Sequence, residues 1–136
     1  MASRVAHTTI DCHDAYSLSE WWKGVLDYVD LEDDPNLPDH EECLIVSRDG
    51  FHRLLFVEAP DEKAVKNRMH LDVEPTSGTR DDEVERLLAH GATQLADLRG
   101  KYGPGTGWVV LADPEGNEFC VLRNQAERDA AGPPPA

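Results

Sequence analysis

The chain opens on period-two alternation. In residues 4–12, RVAHTTIDC, Val5, His7, Thr9 and Asp11 fall on one face and Ala6, Thr8, Ile10 and Cys12 on the other. This predicts a strand with His7 near its middle. The period then changes. Leu18, Trp21, Trp22, Val25, Leu26 and Val29 recur at helical spacing, behind a Ser17…Glu20 capping box. They predict a helix over residues 18–28. Residues 31–42 are acidic and contain two prolines, which predicts a solvated loop. A short apolar strand at 43–47, an Asp49-Gly50 turn and a returning strand at 51–59 make a hairpin. Residues 60–67 form a polar crossover. Residues 68–74 alternate again, with His70, Asp72 and Glu74 on one face. Thr79 predicts the cap of a second helix with Val84, Leu87 and Leu88 as its buried stripe and Gly91 just past its end. A short strand at 92–95 leads to a mobile glycine-rich loop at 100–107. The last hairpin, GWVVLADPEGNEFCVLR, turns at Asp113-Pro114-Glu115-Gly116 and sets Phe119, Val121 and Arg123 against Glu118, Cys120 and Leu122. Residues 127–136, ERDAAGPPPA, predict a disordered tail.

Length and charge narrow what such a pattern can be. At 136 residues the chain is expected to form one domain, residues 1–126. A net charge of -14 argues against nucleic acid and anionic lipid as partners. No apolar run is long enough to span a membrane, and the first residues lack a secretory apolar stretch. Three cysteines without CxxC spacing suit free thiols in a reducing cytoplasm. The glycine-rich loop lacks both the GKS/T ending and the GxGxxG register of phosphate cradles.

The element order repeats. Each half runs strand, helix, then strands ending in a glycine-turn hairpin, with His7 and His70 in equivalent places and Asp49-Gly50 matched by Glu115-Gly116. Three stretches carry a family resemblance: VAHTTIDCHDAYSLSEWW, LLFVEAP with KNRMHLDVEP, and GWVVLADPEGNEFCVLR. Through them, over about residues 4–124, the chain resembles the vicinal oxygen chelate superfamily of glyoxalase I, extradiol dioxygenases, and fosfomycin and bleomycin resistance proteins. Within it the chain resembles the short bacterial glyoxalase-like domain proteins. The resemblance implies an α+β fold of two βαβββ modules, about 4–60 and 67–124, whose curled mixed sheets enclose a cavity. It also implies a homodimer.

The resemblance further implies a metal site, with ligands carried over by position. His7 and His70 match the first-strand histidines of the two modules. The last-strand glutamate of the family falls on Cys120, so Glu118 stands two residues early. At the end of the first module the register leaves either Val57 or Glu58. His7, His70 and Cys120 are therefore the expected ligands of one divalent ion (Zn, Ni, Mn or Fe), with a thiolate favouring Zn(II) over the harder ions. Read from the residues alone, Cys120 is first a small buried hydrophobe, and Asp72 an orienting partner for His70, a solvent-facing carboxylate or a partner for Arg68. Two functions stay open. One is a metal-dependent enzyme of lyase or dioxygenase type on a small organic molecule, with Glu58 or Glu118 moving a proton. The other is a metal-free binding protein of bleomycin-resistance type, with Trp22, Tyr102 and Trp108 around its pocket. A structural dimer without ligand is a third reading.

Overall fold

The computed structural model describes residues 1–131. The chain divides into two compact units, residues 1–62 and 63–136. The first contains β1 (Thr8–Cys12), α1 (Ala15–Leu26), β2 (Val29–Asp30), β3 (Glu42–Val46) and β4 (Arg53–Glu58). Its sheet has the order β1-β4-β3-β2, with β1 parallel to β4 and the other pairs antiparallel. The second contains β5 (Leu71–Val73), α2 (Arg80–Ala89), β6 (Thr93–Asp97), β7 (Val109–Ala112) and β8 (Glu118–Val121), followed by α3 (Gln125–Ala130). Its sheet has the matching order β5-β8-β7-β6, again with the first strand parallel to the last. The chain is thus two βαβββ modules, an α+β fold. No helix among the described residues is long and apolar enough to cross a membrane.

In the first unit α1 packs on β3 and β4. Leu18 and Trp22 on its inner stripe join Ile45, Leu54 and Phe56 in a dry core, with Trp22 only 1% exposed. The helix begins earlier than the Ser17 capping box predicts. Asp14 is the N-cap: its carboxylate accepts the Ser17 N–H at 3.1 Å and the Ser17 hydroxyl at 2.9 Å. Carboxylates cap as well as hydroxyls do, and the Ala15 N–H is taken by Glu58 Oε2 at 3.1 Å. The helix ends at Asp27, a non-glycine residue at φ 56°, clasped by Arg48 through two bonds of 3.1 Å. Val29, expected in the helical stripe, instead pairs with Val46 as part of β2. The acidic loop is anchored by Asn36, whose amide donates to Asp30 Oδ1 and Leu44 O, both at 2.8 Å.

In the second unit Thr79 caps α2 as expected, its hydroxyl accepting the Asp82 N–H at 3.1 Å. Val84 and Leu87 of α2 share a core with Val109, Leu111, Phe119 and Val121. Both first strands are shorter than their alternating stretches, so His7 and His70 each precede the ladder by one residue. The glycine-rich loop is closed by its own bonds, Gly100 N–H to Thr106 O at 2.9 Å and Leu98 N–H to Trp108 O at 2.9 Å. Arg80 pins it from α2. The residue is 6% exposed, and its Nη1 donates to Thr106 O at 3.0 Å and Gly107 O at 2.9 Å.

The tail departs from expectation. Residues 125–130 are helical, started by a capping box between Asn124 and Glu127. Glu127 also accepts the Arg80 N–H, at 2.9 Å to each carboxylate oxygen. The proline-rich end suggested disorder, whereas this one glutamate serves two helix N-termini. Residues 132–136 of the predicted tail lie outside the described residues.

Candidate metal centre

Strand pairing builds the site. β5 runs parallel to β8 with Asp72 opposite Cys120, and β7 places Val110 opposite Cys120 on the other side. Alternation sends Phe119 and Val121 into the core with α2 and sends Glu118 and Cys120 to the opposite face. His70 stands two residues before Asp72, on Asp72's side of the strand, and its Nε2 lies 3.3 Å from Asp72 Oδ1. One ligating atom each from His70, Asp72 and Cys120 lies within 4.8 Å of the others. Cys120 is 6% exposed, while the histidine and the aspartate are open to solvent. Burial pushes the Cys120 thiol above its ordinary range, the Asp72 carboxylate pushes in the same direction, and Lys66 opposes them.

Two of the expected ligands, His70 and Cys120, lie in one cluster within the second unit. His7 belongs to the first unit and is exposed. The residue that completes the cluster is Asp72. Its signal was present in the sequence: it alternates with His70 on a strand that the repeat sets beside the last strand. The neighbouring strand thereby places a carboxylate beside position 120.

The two glutamates expected to move protons are both engaged. Glu58 lies on the α1 side of β4, bonded to the Ala15 N–H, while Val57 pairs with Asp11 and points to the other face. Glu58 also lines an open groove of about 540 Å³ with His13, Glu41, Ala59, Pro60 and Glu62. Glu118 accepts from Lys63 Nζ at 2.8 Å and from the Asn67 N–H at 3.1 Å. Burial alone raises its pKa; the bonds from Lys63 and Asn67 outweigh burial and hold it below the ordinary glutamate range. Of the three expected pocket aromatics, Trp22 is a core residue between α1 and its sheet, a correction to its expected place. Tyr102 and Trp108 do meet, stacked with centroids 5.8 Å apart and planes at 18°, and Tyr102 is 65% exposed.

The donor set fits a divalent ion. An imidazole, a carboxylate and a thiolate are each ligands of borderline metals. Donor atoms of a tetrahedral zinc centre stand roughly 3.3–3.8 Å apart, given bonds of about 2.0–2.3 Å, so the cluster is within reach of one ion.

Two βαβββ modules, each closing its first strand onto its last, define the vicinal oxygen chelate class. Residues 7–122 match the family model described as Glyoxalase-like domain, and the chain belongs to that family. Solved structures agree on the fold. The fosfomycin resistance protein FosX from Mesorhizobium loti is 16% identical at a TM-score of 0.64, covering 96% of this chain and 99% of that one. A variant FosX from Listeria monocytogenes, complexed with Mn(II) and 1S,2S-dihydroxypropylphosphonic acid, is 15% identical at 0.65, covering 94% and 96%. A possible glyoxalase from Bacillus cereus is 15% identical at 0.61, covering 89% and 99%. No curated protein matches the sequence.

Proposed function

We propose that the chain is a metal-dependent glyoxalase-like protein acting on a small organic molecule with two neighbouring oxygens. Its second unit would hold the ion through His70, Asp72 and Cys120. The observation that carries this reading is the convergence of those three side chains within 4.8 Å. When bound, such an ion supplies Lewis acidity to the oxygens it chelates. The protein's part is positional. Asp72 Oδ1 and His70 Nε2 stand 3.3 Å apart, a separation two ligands of one ion would have, and the β5–β8 register fixes Cys120 beside Asp72. The thiolate distinguishes this donor set from one made of hard oxygen ligands, and it favours Zn(II), Ni(II) or Co(II) over Mn(II). The FosX relative with Mn(II) in its complex supports a divalent ion in this fold. The three cysteines, none of them in a disulfide, are consistent with a cytoplasmic setting.

Protein purified without a metal-affinity tag should carry or take up one Co(II), with a sulfur-to-cobalt charge-transfer band. Cys120→Ser should abolish the band and His70→Ala the stoichiometric binding. Cys120→Glu should move preference from Zn(II) toward Mn(II). A His7→Ala variant in the same assay tests the ligand carried over by resemblance. Wild-type protein that takes up no divalent ion sinks the proposal.

A second reading rests on the Tyr102–Trp108 stack and its exposed outer ring. In it the protein sequesters a planar amphipathic molecule without a metal. Quenching of Trp108 fluorescence by an aromatic ligand, in protein free of metal, would favour it.

The resemblance also supports a homodimer. Light scattering should give twice the chain mass; a single-chain mass over a wide concentration range would count against it.

A further inference from the structure

β5 is only three residues long, and its ladder with β8 begins at the Leu71–Phe119 pair. His70 precedes that pair on one strand and Glu118 on the other. No strand pairing therefore fixes the segment that delivers His70 to the site. What holds it is the Glu118 carboxylate, which takes the Asn67 N–H at 3.1 Å on Oε2 and Lys63 Nζ at 2.8 Å on Oε1. The Glu118 side chain is 11% exposed and that of Lys63 26%, so the Asn67 bond is partly shielded from water while the Lys63 pair stays open to it. Asn67 is three residues before His70, and Glu118 is two residues before Cys120 on the same face of β8. One carboxylate thus ties the approach of one donor to the strand that carries another.

We propose that Glu118 is a positioning residue for the metal centre. It anchors residues 63–67 to β8 and thereby sets the place of His70 relative to Asp72 and Cys120. This rests on the reading of His70 as a ligand. It gives Glu118 a task other than proton transfer. Outer groups that orient a ligand contribute about 10- to 100-fold in metal affinity.

The test uses the full chain and Co(II) as probe, with two readouts. Glu118→Ala should bind Co(II) about 10- to 100-fold more weakly by calorimetry, with a changed ligand-field spectrum. In metal-free protein it should also speed backbone hydrogen exchange at Asn67–His70. Glu118→Gln keeps an oxygen for the Asn67 N–H and should recover much of both. Should Glu118→Ala fail to fold, Glu118→Gln and Lys63→Met, which removes the ion pair together with the Lys63 Nζ bond to Val65 O, are judged by the same readouts. A folded Glu118→Ala with wild-type exchange over residues 67–70, or with wild-type Co(II) affinity and spectrum, overturns the inference while leaving the metal reading intact. If the wild type takes up no Co(II), it is the metal reading that fails, and hydrogen exchange still decides whether Glu118 holds this segment.

Discussion

Gly107→Ala should be severely destabilising, costing more than about 4 kcal/mol, at the upper end of point-mutant effects. Gly107 sits at φ 86°, where an L side chain costs roughly 1–2 kcal/mol before any contact is counted. A Cβ built there falls 1.9 Å from Leu98 O and 2.7 Å from Leu98 C. Both are backbone atoms, so no rotamer change relieves the overlap. The backbone cannot simply give way either. Leu98 N–H bonds Trp108 O at 2.9 Å, and Arg80 holds Gly107 O at 2.9 Å. Gly100→Ala is the matched control in the same loop. Its φ is 76°, but its Cβ would meet nothing within 4 Å, so only the backbone term of about 1–2 kcal/mol applies. Urea unfolding of both variants measures the difference; equal midpoints would show that the loop rearranges freely and that Arg80 does not hold it.

Trp22→Ala should cost about 3–5 kcal/mol, the range for removing a large aromatic from a closed core. Trp22 is almost wholly buried among α1 and its sheet, where the neighbouring Leu54, Phe56 and Ile45 are also inaccessible. Close packing leaves the surroundings little freedom to fill the space. Trp21, edge-on to Trp22 at 5.3 Å, is only partly buried and should lose much less on the same substitution. Chemical denaturation followed by circular dichroism distinguishes the two. A Trp22→Ala loss no larger than that of Trp21→Ala would contradict the placement of Trp22 in the core.

The module order, the second helix with its Thr79 cap and the last hairpin were legible in the sequence, because period and turn chemistry are local. What escaped was set by contacts between elements. The start of α1 depended on Asp14 and Glu58 competing successfully with Ser17 for the cap. Val29 left the helical stripe because Asp27 ends the helix two residues earlier and Val46 offers a pairing partner. The choice between Val57 and Glu58 required knowing which face of β4 meets α1. The closeness of His70 and Cys120 was legible through alternation and family resemblance together. Asp72 was seen only as a companion of His70, since its place beside Cys120 comes from the β5–β8 register, a tertiary fact.

The parallel closure of β5 onto β8 also fixes when the candidate centre can exist. His70 and Asp72 stand at the start of the second unit, and Cys120 arrives with its last strand, after α2 and two further strands. Non-local pairing of this kind must meet its loop-closure entropy before any contact repays it. On a ribosome the first two donors therefore emerge long before the third. The three donors therefore come together only when β8 docks between β5 and β7, and an ion held by all three side chains would report that closure.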